Sequence, residues 1–418
     1  MRYYLIIFGI VFCISIGLAQ QDSLVLPESR VMDLDVLLSE LMMNNQEVQA
    51  ALTMIDMTQT RVAQEGSLDA PTFEFMQDQF PGLQFGEAMM SKYKLMQMIP
   101  FPGKLAGKGA LAEMKAEHSH HDQYEMTNAI IAKFKGMYFE LWYIQESIIL
   151  MQENIRLMKQ FSETALSNYS LGKSSQQDVL KTGVEISTMN NEIINLRAKE
   201  LGMKAMMAAT LNRSASDTLG YAQVSEDIAF SFTLDSLESL ALSNRQMLKH
   251  DSLSIIENEA MLSLTKKEYL PDFTFAIERD ISPMTDFTGW SISAGITLPF
   301  VPWVLGKNNA MVEEATLGIK KAREDYNSNK NMVLGSVREL YAKIDGLRQQ
   351  LQSYGGDIIP KAQQSLNVSL SLYQNGKTDF LMLIDAFRSL SDLRMKYYMV
   401  RMDYEQAVVE LERAVGGF

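Results

Sequence analysis

The chain has 418 residues, 47% of them apolar, with 38 basic against 51 acidic side chains and a net charge of −13. So acidic a protein repels phosphate backbones, which excludes nucleic acid as an expected partner. The single cysteine, Cys13, leaves no disulfide, no thiolate metal cluster and no cysteine nucleophile in the rest of the chain.

Residues 1–19 read as a secretory signal. Arg2 supplies the positive start, Tyr3 to Ile16 the apolar run, and Gly17-Leu18-Ala19 a small-residue cleavage site. That run is roughly 14 residues, short of the ~20 that a spanning helix needs. Cys13 follows the bulky Phe12, which argues against a lipid anchor. Cleavage removes Arg2 and takes the charge from −13 to −14. No later run reaches ~18 apolar residues, so contact with a membrane would be made by strands or by an amphipathic surface.

Proline then divides the chain. Of ten prolines, eight fall in two blocks: Pro71, Pro81, Pro100 and Pro102, and later Pro271, Pro283, Pro299 and Pro302. Proline is kept out of helix interiors and central strand positions, so these blocks mark short extended elements between long helices. Pro71-Thr72-Phe73 is answered by Pro271-Asp272-Phe273, Ile99-Pro100-Phe101 by Leu298-Pro299-Phe300, Gly103-Lys104 by Gly306-Lys307, and Tyr169-x-x-Gly172-Lys173 by Tyr373-x-x-Gly376-Lys377. The spacing predicts two copies of one unit, at 20–218 and 219–418, each made of a helix, a strand pair (about 71–100 and 271–299) and a long helical hairpin.

The strand pairs are amphipathic. Trp290, Ile292, Ala294, Ile296 and Leu298 alternate with Ser291, Ser293, Gly295 and Thr297, and Phe273, Phe275 and Ile277 with Thr274, Ala276 and Glu278. Residues 104–169 hold no proline and repeat apolar positions in heptads, which predicts a helix of roughly 100 Å. Helices follow at 175–211, 308–373 and 378–415. Pro360, beside Gly355-Gly356, predicts a kink or break. Four strands cannot close a barrel, which takes about eight, whereas three chains would supply twelve.

With these features the chain resembles the TolC-type outer-membrane efflux proteins, in the branch that serves heavy-metal and multidrug pumps. The resemblance implies a mainly α fold with a small β part: long antiparallel coiled-coil helices forming a trimeric periplasmic tunnel, and four strands per chain contributing to a 12-stranded transmembrane β-barrel. It further implies a homotrimer in outer-membrane lipid of a Gram-negative bacterium. The partners would be a periplasmic adaptor and an inner-membrane pump, and the channel would be passive, with no cofactor and no enzymatic activity. The alternative is a periplasmic coiled-coil scaffold or adaptor without a pore, which would have no use for amphipathic strands.

The resemblance also implies that Tyr169, Gly172, Lys173 and Ser174 with Tyr373, Gly376, Lys377 and Thr378 form the periplasmic tip and adaptor contact. A family gate maps onto Asp178, Tyr373 and Asp385, with Asp178 accepting a hydrogen bond from Tyr373. Met382 stands where the family has a second acid. Lysine after each turn glycine departs from the usual threonine. The bland reading, a solvated tip, stays open.

Two further clusters have competing readings. His118 and His121 share a helix face and could contact a metal, or simply sit on a solvated surface. Met89, Met90, Met96 and Met98 crowd one strand; thioethers suit Cu(I), but 29 methionines spread along the whole chain favour packing. Neither Gly-Lys-Ser/Thr turn carries the upstream glycine of a phosphate loop.

Overall fold

The computed structural model describes residues 31–78, 90–214, 216–217, 219–225, 230–282 and 286–417. The signal segment 1–19 with Cys13, and Pro81, Pro283 and Met89, lie outside the described residues.

The chain opens with β1 (Val31–Met32), α1 (Leu34–Asn44) and α2 (Gln46–Glu65). Asn45 separates the two helices: its backbone is extended, and its Oδ1 accepts from the N–H groups of Glu47 at 2.9 Å and Val48 at 3.0 Å. That caps α2 and satisfies donors a helix start leaves open. The strands β2 (Thr72–Asp78) and β3 (Met90–Ile99) follow, then α3 (Lys104–Ser170) and α4 (Gln176–Thr210). At 67 residues, α3 extends about 100 Å at 1.5 Å per residue.

The second half repeats this order with β4 (Tyr221–Ala222), α5 (Leu234–Asn244), α6 (Gln246–Lys266), β5 (Phe273–Ser282) and β6 (Phe287–Ile296). It ends with α7 (Pro302–Ser353), α8 (Ile359–Gln374) and α9 (Phe380–Val415). Beside Pro360 the α-helix is interrupted, as α7 passes to α8 through a π-turn, Tyr354–Ile358. Pro360 falls in the first turn of α8, where its missing N–H costs little. The widened turn, closed by Ile359 N–H on Tyr354 O, absorbs the proline that the sequence reads as an interruption.

Long helices packed side by side share strips of buried side chains rather than one centre. Phe134, Tyr138, Leu141, Leu41, Met207 and Leu211 form one strip; Met158, Phe161, Leu366, Phe380, Leu383 and Phe387 form another nearer the turns; and Leu237, Val337, Ile344, Tyr404 and Leu411 a third. No helix among the described residues is long and apolar enough to cross a membrane.

A feature absent from the sequence reading ties the halves together. β1 pairs in parallel with β4, Val31 with Tyr221 and Met32 with Ala222. Two residues are too few to show a period. The Tyr138 hydroxyl bridges them, donating to Met32 O at 3.1 Å and accepting from Gln223 N at 2.8 Å.

Candidate functional site: a two-faced sheet and a helical tip

The four long strands form one antiparallel sheet in the order β2-β3-β5-β6. Residues opposite each other across antiparallel strands share a face. The register aligns Phe73 with Leu95, Leu95 with Ile277 and Ile277 with Ile292, and aligns Phe75 with Tyr93, Tyr93 with Arg279 and Arg279 with Trp290. The other face carries Glu74 opposite Lys94 and Lys94 opposite Glu278, with Ser291 beyond it. One surface is thus mainly aromatic and aliphatic, with Arg279 stacked 5.4 Å over the Trp290 ring, and the other carries charged and small residues together with methionines. In the single chain the apolar surface is bare: Ile292 is 83% exposed and Trp290 65%. Both alternations expected for β5 and β6 are present.

A junction anchors the sheet to the helices. Gly103 adopts φ 92°, a left-handed conformation that favours glycine, and so turns the chain from Pro102 into α3. Lys104 is buried at the start of α3, with its Nζ 3.0 Å from Asp272 Oδ1, 3.3 Å from Glu268 Oε2 and 3.2 Å from Leu270 O. Asp272 Oδ1 also accepts from Phe101 N at 2.8 Å. The copy of this motif does not behave alike. Gly306 and Lys307 lie inside α7 and are exposed. Asn308 is buried there in their place, donating to Pro299 O at 3.2 Å.

At the far end, two turns repeat bond for bond. Gly172 N donates to Tyr169 O at 2.9 Å and Lys173 N to Asn168 O at 2.8 Å; Gly376 N donates to Tyr373 O at 3.0 Å and Lys377 N to Leu372 O at 2.9 Å. Gly172 and Gly376 have φ of 68° and 67°, the left-handed helix ending that needs glycine. Lys173 and Lys377 are exposed, and Ser174 and Thr378 half-buried, on one cleft with Asp178 and Tyr373.

The two turn tyrosines differ. Tyr169 is exposed, whereas Tyr373 is buried against Phe380, ring centroids 5.4 Å apart. Burial pushes the Tyr373 phenol up, with Ser174 and Asn168 opposing this and the charge of Asp178 adding to it. Asp178 therefore sits beside the hydroxyl, but that hydroxyl makes no hydrogen bond of good geometry among the described residues. Asp178 Oδ1 accepts from Ser175 Oγ at 3.1 Å instead.

Asp385 is exposed on α9, one turn before Arg388. Arg388 forms an ion pair with Glu185 of α4. Glu185 above all, and Asp385 with it, holds the guanidinium above its ordinary range. The sequence reading missed this tie between the hairpins. A carboxylate three residues from an arginine on one helix was the only signal for its Asp385 side; nothing local points to Glu185.

His118 and His121 do not converge on one ligand. His118 faces α6, its Nε2 3.0 Å from Glu257 Oε2 and its ring 4.2 Å from that of His250, while His121 Nδ1 lies 3.0 Å from Gln246 Oε1. Among the described residues no group of three His, Cys, Asp or Glu is arranged to hold a metal. The histidines work in a helix–helix seam rather than on an open surface.

The family model "outer membrane efflux protein" matches residues 237–417. The cobalt-zinc-cadmium resistance protein CzcC of Cupriavidus metallidurans is 22% identical over 325 residues, 75% of this chain and 75% of that protein. The fold is similar to CusC (TM-score 0.78, 15% identity, covering 92% of each chain). It is also similar to the outer membrane protein VceC of Vibrio cholerae (TM-score 0.75, 14% identity, 92% of this chain and 96% of that one).

Proposed function

Since this chain belongs to the TolC-type family of outer-membrane efflux proteins, we infer that it is the outer-membrane channel component of a tripartite efflux system. It conducts metal ions, drugs or other small molecules passively from a periplasmic adaptor and inner-membrane pump to the exterior of a Gram-negative cell. The observation that carries this is the two-faced sheet on long helices: a mainly apolar, aromatic-rich face on β-strands has no purpose in water but fits the lipid-facing side of a barrel. Strands of ten residues, at about 3.4 Å per residue and tilted near 45°, cover the ~25 Å apolar band of an outer membrane. A scaffold without a pore would leave that face exposed to water.

What one chain leaves open supports the homotrimer that the family likeness implies. β2 and β6 are free edges, and unpaired edges invite pairing with another copy. On α4, Leu180, Leu201 and Ile194 are 63–71% exposed, as is Val184 at 63%. Leu180, Ile194 and Leu201 are spaced in multiples of seven, as in a coiled-coil seam waiting for a helix from another protomer. The tip residues Tyr169, Gly172, Lys173, Ser174, Gly376, Lys377 and Thr378 supply the adaptor contact, and Asp178, Tyr373 and Asp385 the gate.

The test is a pair of substitutions on one strand. Ile292→Arg places a charge on the lipid side and should block insertion, at a cost of ~2 to 4 kcal/mol near mid-membrane. Ser293→Arg points to the lumen; it should insert normally and change single-channel conductance. Membrane fractionation and planar-bilayer recording read both. Equal effects at the two positions would contradict a barrel with this register.

A further inference from the structure

The polar face of the sheet carries four methionines with no large apolar residue opposite them. The register puts Met76 opposite Lys92, Met90 opposite Asp78, Met96 between Thr72 and Ala276, and Met98 opposite Thr274. None of these cross-strand neighbours is a large apolar side chain. Met76 and Met98 are each 45% exposed and Met90 and Met96 half-buried, whereas Met137, Met158 and Met207 are buried in the helical strips. Thioethers on a wet surface gain little from burial.

Their spacing suits shared ligation instead. Met96 and Met98 are two apart on β3, so their Cα atoms are separated by about 7 Å along one face. Met76 and Met90 are diagonal neighbours across β2 and β3, also about 7 to 8 Å apart. Unbranched side chains with three rotatable bonds can bring two sulfurs to one ion across such a gap. The surrounding charge favours cations, because among the described residues of these strands Glu74, Asp78, Glu278 and Asp280 share this face with Lys92 and Lys94.

We propose that this face binds soft monovalent cations, Cu(I) or Ag(I), through two thioether pairs, Met76 with Met90 and Met96 with Met98. The inference rests on the reading that the polar face lines the barrel lumen, where three chains would repeat the pairs around the axis. Neutral thioethers select soft ions over Zn²⁺ or Mg²⁺ and need no deprotonation, so this binding differs from that of carboxylates or histidine in persisting at acid pH. No electron transfer is involved: the ion exchanges its water for sulfur.

Silver nitrate in chloride-free buffer, titrated into the purified full-length protein in detergent, tests the site. Calorimetry reads affinity, and X-ray absorption reads sulfur around the bound silver. The parent should bind silver with sulfur ligands equally at about pH 5 and pH 7. Met76→Leu/Met90→Leu and Met96→Leu/Met98→Leu should each remove part of the binding, and the fourfold variant should lose about tenfold or more in affinity. Leucine keeps size and polarity, and either double variant alone keeps the test decisive if the fourfold one misfolds. Met42→Leu/Met43→Leu, at an exposed adjacent pair on α1, should lose nothing. Unchanged binding in the sheet variants, or equal loss in the α1 control, overturns the site. Conductance of the same preparations separates the two readings: a parent that binds silver here but never conducts contradicts the channel, and a conducting parent indifferent to the sheet substitutions contradicts only the site.

Discussion

Tyr169 and Tyr373 hold the same place in two turns with the same backbone bonds, yet only Tyr373 is buried, and its hydroxyl is left without a partner beside Asp178. An unmade buried hydrogen bond costs about 1 to 3 kcal/mol, and one to a charged acceptor contributes a comparable amount once formed. A small shift of the turns in the assembled tip would let Tyr373 donate to Asp178 and latch the two hairpins. Tyr373→Phe should then raise single-channel conductance; unchanged conductance together with a higher melting temperature would show that the hydroxyl is merely strained.

His118 supplies a pH dependence in the helical region. Desolvation first, and the neighbouring His250 second, hold its imidazole below the usual 6.5, against the opposing pull of Glu257 and Asp122; Asp251 flanks the same pair through His250. The unfolded chain thus binds a proton at a pH where the folded one does not. Stability is fully present above about 6.5 and is lost as pH falls from there through the depressed folded value. The melting temperature should drop between about pH 7 and pH 5.5, and His118→Gln should drop less; equal slopes would contradict the assignment.

At the scale of elements, what was legible depended on period. β5 and β6 alternate cleanly, and the heptads of α3 run without a break, so strand faces and helix length could be read from residues alone. β3 puts apolar methionines beside lysines on one side and Ser91 and Gln97 beside Tyr93 and Leu95 on the other, which blurs its alternation and hides its register against β5. The Gly-Lys repeat was a true likeness of sequence with two structural outcomes, because only Gly103 needs a positive φ and only Lys104 is buried. Gly355-Gly356 with Pro360 read as a kink or break for sound reasons of propensity, and the irregularity takes the form of one widened turn between α7 and α8. Nothing lies within 4 Å of a Cβ built on Gly356, so Gly356→Ala should raise stability by about 0.5 to 1 kcal/mol through lost unfolded-state freedom. Chemical or thermal denaturation checks this, and a loss of stability would mean that the π-turn requires glycine there. The tip residues were legible only through the family likeness: the glycine turns could be derived, but the burial of Tyr373 and the Glu185–Arg388 pair arise from packing between hairpins about 200 residues apart.

For the whole molecule, the proposed channel would cover the free edges of the sheet and the seam on α4 with further copies of the chain, and the bare apolar face with lipid. Within one chain β2 and β6 are separated by two strands, about 14 Å at 4.7 to 4.9 Å per step, too far for a disulfide, which needs Cα atoms within about 7 Å. In a closed ring of three, β2 of each protomer lies beside β6 of the next. Removal of the signal segment would leave no native cysteine to interfere. The most direct measurement is therefore oxidative cross-linking in outer membranes of Glu74→Cys on β2 combined in turn with Ser291→Cys, Ser293→Cys or Gly295→Cys on β6, all on the polar face, resolved on a denaturing gel. The expected result is a covalent trimer for at least one pair; monomer alone at all three pairs, or a ladder extending past three, would contradict a closed trimeric barrel.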